Sequence, residues 1–182
     1  MAPVGSYEAL SAAIQAGAGS VYFGIGRLNM RSKSAKNFTL DDLNKIATIC
    51  NENNVKSYVT INTVVFDEEL DEMRQLVDAV KANGISAIIA SDQSVIQYAR
   101  QIGVEVHMST QCNITNIEAI KYYSQFADVM VTAREVSVNQ VKNITPASRT
   151  LSKNGSVHKS FGDMIYSFSM ASVISLSRSC TV

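Results

Sequence analysis

Short apolar runs alternate with amphipathic segments from Ser6 to about Ile144, and no other feature of the 182-residue chain constrains its fold as much. Parallel strands joined by crossover helices produce this alternation, because the connecting helices cover the faces of a parallel sheet. Strands are expected at Ser20–Ile25, Lys56–Asn62, Ala87–Ala90, Val104–Ser109 and Asp128–Ala133, with the stub of a first strand before Gly5. Helices are expected over Tyr7–Ala16, Leu40–Asn53, Glu68–Asn83, Gln93–Ile102, Ile117–Phe126 and Val138–Ile144.

Spacing supports the helices. Leu43, Ile46, Ala47 and Cys50 stand at i, i+3, i+4 and i+7, and Leu70, Met73 and Val77 at i, i+3 and i+7. Each set makes one apolar stripe that belongs against a sheet. Gly17, Gly84 and Gly103 fall where a helix ends in a left-handed residue, and Asn54 takes the same place before Val55. Thr39 with Asp42, and Thr115 with Glu118, have capping-box spacing.

A strand-helix unit thus recurs roughly every twenty to thirty residues, as in a doubly wound sheet or a (β/α)₈ barrel. No G-x-G-x-x-G follows a strand, and Gly24-Ile-Gly26 reads as a turn, which removes the main reason for the doubly wound fold. A closed barrel needs eight units and six are countable. The expected fold class is therefore α/β, an incomplete TIM-like (β/α) barrel of about six parallel strand-helix units followed by an irregular C-terminal tail. The domain division that follows is a partial TIM-like barrel domain over 1–144 and an atypical Ser-rich tail over 145–182. In that tail ten of 38 residues are serine, Asp163 is the only acidic residue, and strand-like character is confined to Met164-Ile-Tyr166 and Val173-Ile174. The first and sixth strands are then open edges, and self-association through them is expected.

Sixteen basic residues balance sixteen acidic ones, so no whole-chain field recruits nucleic acid or an anionic membrane, and any RNA contact must come from a local patch. The start Met1-Ala-Pro-Val-Gly-Ser6 has no basic region and apolar run, and no apolar stretch is long enough to span a bilayer. A cytoplasmic protein without a membrane partner is expected. Cys50, Cys112 and Cys180 are odd in number and lack metal-type spacing, which fits a reducing compartment, with Cys50 in the core and no metal site.

In a parallel barrel the loops after the strands converge at one mouth, so polar residues at strand ends are the candidates for a site. The rule selects Arg31 and Asn37 in the basic loop after the second strand, then Asn62, then Ser91 and Asp92, then Ser109, Thr110, Gln111 and Asn113, and last Arg134 and Glu135. Guanidinium groups among amides suit carboxylate or phosphate oxygens. An anionic small molecule or peptide is therefore the expected ligand, held by Arg31, Asn37, Asn62, Ser109, Gln111, Asn113, Arg134 and Glu135. The competing reading has Asn62 and Ser109–Asn113 capping loops and helices, and Arg134 with Glu135 as a local ion pair. No catalytic nucleophile or base is identified: His107 and His158 are the only histidines, and H-E-x-x-H, G-x-S-x-G and Cys-x-x-Cys are absent. His107, on a strand face with Glu105 and Ser109, reads as a packed histidine.

Ala2-Pro-Val-Gly-Ser6, Ala16-Gly-Ala-Gly-Ser-Val-Tyr-Phe-Gly24, Arg31 through Asn37-Phe38, Tyr58-Val-Thr-Ile-Asn62, Ser109-Thr-Gln-Cys-Asn113 and Ala133-Arg-Glu135 together resemble the successive blocks of the family U32 peptidases, over about residues 2–144. The resemblance implies a TIM-like barrel at the start of a longer bacterial protein and the peptidase activity of a collagenase-like protease, a hydrolase. Two other readings stand beside it. One, also implied by the resemblance, is prephenate-dependent hydroxylation of tRNA uridine or rRNA bases, in which relatives take part. The other, favoured by the missing strands and the broken cysteine pair rather than by the resemblance, is a non-catalytic binding or assembly fragment. Further relatives act in ubiquinone hydroxylation with an iron–sulfur cluster. The family's His-Gly block with C-x₆-C is incomplete here: Ser175-Leu-Ser-Arg-Ser-Cys180 matches its second half, but Val173 stands at the first cysteine and Ser169-Met170 at the His-Gly. The cluster is thus an expectation for full-length relatives and no cofactor is expected on this chain. Codons for Phe168-Ser-Met-Ala171, read in a shifted frame, can encode Phe-His-Gly. A frameshifted or truncated chain, inactive as an enzyme alone, is the matching expectation.

Overall fold

The alternation takes shape in the computed structural model, which describes residues 1–30, 32, 37–137, 139–141, 164–168 and 172–175. The chain forms two compact units, Met1–Val106 and His107–Val182.

In the first unit, strands β1 (Ala2–Pro3), β2 (Ser20–Gly24), β3 (Lys56–Ile61) and β4 (Ala87–Ala90) lie side by side in that order, each parallel to the next. The register sets Gly24 beside Thr60 and Ile61 beside Ala90, so the chain leaves the sheet at neighbouring points after each strand. Helices α1 (Tyr7–Gln15), α2 (Asp42–Glu52) and α3 (Leu70–Ala82) connect them, and α4 (Gln93–Gln101) follows β4. Their apolar stripes are buried as the spacing requires: Leu43, Ile46, Ala47 and Cys50 on α2, Met73, Leu76, Val77 and Val80 on α3, and Val95, Ile96 and Ala99 on α4. All four residues of β4 are buried, as is Val59 of β3. Each large aliphatic side chain so covered is worth about 1.5–3 kcal/mol.

The helix ends are those the glycines mark. Gly17, Gly84 and Gly103 have φ of 78, 67 and 78°, and Asn54 has φ of 55°. At the start of α2 the Thr39 amide and hydroxyl both donate to the Asp42 carboxylate, at 2.8 and 2.9 Å. The other oxygen of Asp42 accepts from the Tyr7 hydroxyl at 2.6 Å, which ties α1 to α2.

In the second unit β5 (Val106–Met108), which begins at the boundary, pairs in parallel with β6 (Val129–Val131), His107 opposite Val129. Helix α5 (Ile117–Tyr123) joins them. Its N-cap is Asn116, whose Oδ1 accepts from the Ala119 amide at 2.9 Å. The N-cap therefore falls one residue after the expected Thr115, because the adjacent Asn116 offers a carboxamide oxygen in capping position, and Ala119 at the third helical position cannot close a box. Residues 139–141 are helical, and the rest of the helix expected at Val138–Ile144 lies outside the described residues.

The two apolar runs of the tail form strands. β7 (Met164–Phe168) lies parallel to β6, Met130 opposite Met164, and β8 (Ser172–Ser175) runs antiparallel to β7. Hence β6, expected as an open edge, has a partner. Strands β1 to β6 alternate with helices and take parallel partners within their units, so the fold class is α/β, an incomplete TIM-like (β/α) barrel.

Candidate functional site

The first unit contributes the loops after β2, β3 and β4. The loop after β2 returns to its start: Ile25 bridges Phe38, the Gly26 amide donates to the Phe38 carbonyl at 3.3 Å, and the Phe38 amide donates to the Gly24 carbonyl at 3.3 Å. Buried Leu28 and Phe38 anchor it, and Phe38 meets Phe23 and Tyr7 edge-on at 5.5 and 5.3 Å. Asn37 closes the loop, its Nδ2 donating to the Gly26 carbonyl at 3.1 Å. Of the loop's basic residues, Arg27 is engaged by Glu69 at 2.9 Å and Glu72 at 2.7 Å, which fastens the loop to the start of α3. Arg31 lies outside the described residues.

Asn62 follows β3 and is half-buried, and its Oδ1 accepts from the Met30 amide at 3.2 Å. Asp92 caps α4 by accepting from the Ser94 amide at 2.9 Å and hydroxyl at 2.6 Å, and its second oxygen accepts from the Val65 amide at 3.1 Å. The Phe66 amide donates to Glu69 at 3.0 Å. The segment after β3 is therefore tied down at 62, 65 and 66 while its side chains Val64 and Phe66 stand exposed.

The second unit contributes the loops after β5 and β6. Ser109 is buried, and its Oγ accepts from the Gln111 amide at 3.3 Å across a single 3₁₀ turn, Thr110–Cys112. Asn113 ends that turn in the left-handed region, φ 49°. The chain next bridges β6 through Ile114 and Thr132, and the Ala133 amide donates to the Ile114 carbonyl at 2.9 Å. Arg134 and Glu135 follow in a turn closed by the Val136 amide on the Ala133 carbonyl; both are exposed, and neither makes an ion pair among the described residues. Gln111 and Asn113 are exposed as well. Ser109 and Asn113 thus do the local capping that competed with a ligand role, whereas Gln111, Arg134 and Glu135 face solvent at strand ends.

Two groups with apparent chemistry are quiet. His107 is buried within β5 as a packed strand residue. Burial pushes the Cys112 thiol up to about 11, against the lowering effect of a hydrogen bond from the Ser109 backbone, so it is protonated at neutral pH and is no thiolate nucleophile. Burial also raises the thiol of Cys50, which is fully enclosed in α2. Iron–sulfur clusters are held by thiolates in sets of about four, and among the described residues no group of three or more His, Cys, Asp or Glu is placed to hold a metal ion.

Sequence reasoning passed over Asn29, which is 1% exposed and whose Nδ2 donates to the carbonyls of Ile25 at 3.4 Å and Gly26 at 3.2 Å. The one signal for it is indirect: Gly24 lacks the Cβ that would stand 2.5 Å from the Asn29 carboxamide. Nothing in the sequence signals the Arg27 pairing.

Among known proteins, the chain is 61% identical over 144 residues to a collagenase of Porphyromonas gingivalis, which covers 79% of this chain and 35% of that protein. It is 30% identical over 178 residues to tRNA hydroxylation protein P of Helicobacter pylori, covering 96% of this chain and 42% of that protein. The chain thus spans well under half the length of these relatives. A solved U32 peptidase structure superposes with a TM-score of 0.66 at 10% identity, over 80% of this chain and 63% of that one, which bears on the fold alone. The model of Peptidase family U32 matches residues 5–179, and the chain belongs to that family.

Proposed function

We propose that this chain is the substrate-holding part of a collagenase-like peptidase and that it binds an anionic or peptide ligand at the loops following its strands. The 61% identity to the Porphyromonas gingivalis collagenase carries this reading. Within it, the strand-end residues offered to a ligand are Asn62 in the first unit and, in the second, Gln111, Arg134 and Glu135, while Asn37, Ser109 and Asn113 hold the loops that follow their strands. The barrel segment runs over 1–144, the chain holds no cofactor, and it works in the cytoplasm. In support of the last point, no helix among the described residues is long and apolar enough to cross a membrane.

Heat-denatured type I collagen is the direct test. The chain retains it in a pull-down without releasing fragments, and Arg134→Ala weakens the binding of succinate, a simple dicarboxylate, by about 1.5–3 kcal/mol, the worth of a hydrogen bond to a charged group. Binding of neither probe defeats the reading.

One observation favours a second reading, support of RNA-base hydroxylation: the tRNA hydroxylation relative aligns over 96% of the chain, beyond the 79% reached by the collagenase. Nucleoside mass spectrometry of a deletion strain separates the two. A missing hydroxylated base with unchanged collagen breakdown selects the second.

A further inference from the structure

Val64 and Phe66 stand two residues apart on the segment after β3, 68 and 60% exposed, although the backbone that carries them is pinned. The Val65 amide between them donates to Asp92 at 3.1 Å, and the Phe66 amide donates to the buried Glu69 at 3.0 Å. The loop after β2 joins the same segment where the Met30 amide donates to Asn62 at 3.2 Å, and the Met30 side chain is itself 57% exposed. Three of the five large apolar side chains exposed among the described residues thus belong to two loops bonded to each other. Scattered apolar residues are ordinary on a surface, whereas a group of them on a tethered backbone marks an interaction surface.

The charge beside this group limits what can occupy it. Asp67, Glu68, Glu69, Asp71 and Glu72 follow directly in sequence, in a chain whose formal net charge is zero. Arg27 is held by Glu69 and Glu72, and Arg74 by Asp71, whereas Asp67 and Glu68 are exposed and make no ion pair among the described residues. Like charge turns away a nucleic acid or an anionic membrane, and two copies of the chain meeting face to face here would set carboxylate against carboxylate. An apolar face with an acidic border fits a polypeptide that is apolar and basic at once.

We propose that Met30, Val64 and Phe66, bordered by Asp67 and Glu68, form a docking surface for an unfolded polypeptide segment in which a bulky apolar residue neighbours lysine or arginine. The apolar side chain lies on Val64 and Phe66, and its basic neighbour meets the two carboxylates. This rests on the peptide form of the reading above and adds the composition that such a peptide must have.

The test uses the whole chain and labelled unstructured peptides read by fluorescence anisotropy, one carrying Leu-Arg-Leu-Arg, one Leu-Glu-Leu-Glu and one Ser-Arg-Ser-Arg in the same flanking sequence. The first binds, and the other two bind at least about tenfold more weakly. Phe66→Ala and Val64→Ala each weaken the first by about fivefold or more, while Tyr122→Ala, which removes an exposed ring from the second unit, leaves it unchanged. The paired change Asp67→Asn with Glu68→Gln weakens it as well and flattens its dependence on salt. These positions are exposed, so the variants melt with the wild type and a loss of binding is not a loss of fold. No binding of the first peptide, equal binding of all three, or equal loss in Tyr122→Ala and Phe66→Ala overturns the proposal. So does a dimer that Phe66→Ala disperses, since a second copy is then the occupant. If the wild type and Phe66→Ala retain heat-denatured collagen alike, this surface is wrong and the reading above stands. If the wild type retains none, that reading fails, and the Leu-Arg-Leu-Arg peptide still decides whether the surface exists.

Discussion

Asp42 gathers three donors, from the Tyr7 hydroxyl and from the amide and hydroxyl of Thr39, and together they hold its carboxyl below the usual carboxylate range, Tyr7 contributing most. Burial, then Asp42, pushes Tyr7 up to about 12. A depressed carboxyl stabilises the fold above its unfolded value of about 3.9 and stops doing so as pH falls through the folded value. A raised phenol stabilises the fold fully below about 10 and loses that contribution as pH climbs through 12. Tyr7→Phe removes one donor from Asp42, so the melting temperature of the variant lies below wild type at pH 7 and the gap closes below about pH 4. Equal melting temperatures at every pH would show that Tyr7 matters only as an aromatic surface for Phe38, a contact the variant keeps. Thr63 poses the opposite case: its Oγ1 is buried with no hydrogen-bond partner among the described residues. Thr63→Val keeps the shape and removes the unsatisfied group, and urea unfolding should show a gain of about 1 kcal/mol. At this scale the sequence was informative about residue type and poor about partners. That Cys50 and His107 are buried followed from their place in periodic segments. That Arg27 spends its charge on Glu69 and Glu72 depends on a contact across 42 and 45 residues, which no local spacing records.

At the scale of elements, boundaries were legible wherever the backbone demands a special residue. The left-handed ends at Gly17, Asn54, Gly84 and Gly103 are conformations that few side chains tolerate, so the residue itself announces the stop. Helix starts are less exclusive, since Ser, Thr, Asp and Asn all cap, and in Thr115-Asn116 two able residues stand together. The structure selects Asn116. Asn116→Ala should cost about 1 kcal/mol in thermal unfolding, and Thr115→Ala a few tenths; the reverse order would restore the Thr115–Glu118 box. The candidate site is an element-scale problem too. Its strand ends were predictable from the parallel barrel, but the same polar residues serve two purposes. Asn113 occupies a left-handed position and Asn37 ties a loop closed, and the sequence pattern is identical for an amide that caps and one that binds. Asn29 was invisible because its meaning lies in the missing Cβ of a strand residue five positions earlier.

For the whole molecule, the question is how an incomplete parallel sheet treats its ends. The expectation of two open edges came from counting six strands; among the described residues β1 pairs with β2, and it has two residues, of which Pro3 carries no N–H to offer a new strand. An edge so short and so poor in donors is a weak template for association. The sixth strand differs, because β7 pairs with β6 and β8 pairs with β7 in turn. The serine-rich tail hid this: Met164-Ile-Tyr166 and Val173-Ile174 are each too brief for alternation to be read, although a strand of four or five residues suffices once a partner edge is waiting. The tail's contribution is then measurable by removing it. A chain ending at residue 144 leaves β6 with an unpaired row of backbone groups beside buried Met130 and Val131, so it should sediment as concentration-dependent oligomers where the 182-residue chain sediments with less association at equal concentration. Sedimentation velocity over a tenfold dilution series decides the matter. If both chains give the same distribution at every concentration, the pairing of β7 with β6 does not protect that edge, and any association of the full chain must be sought at β1.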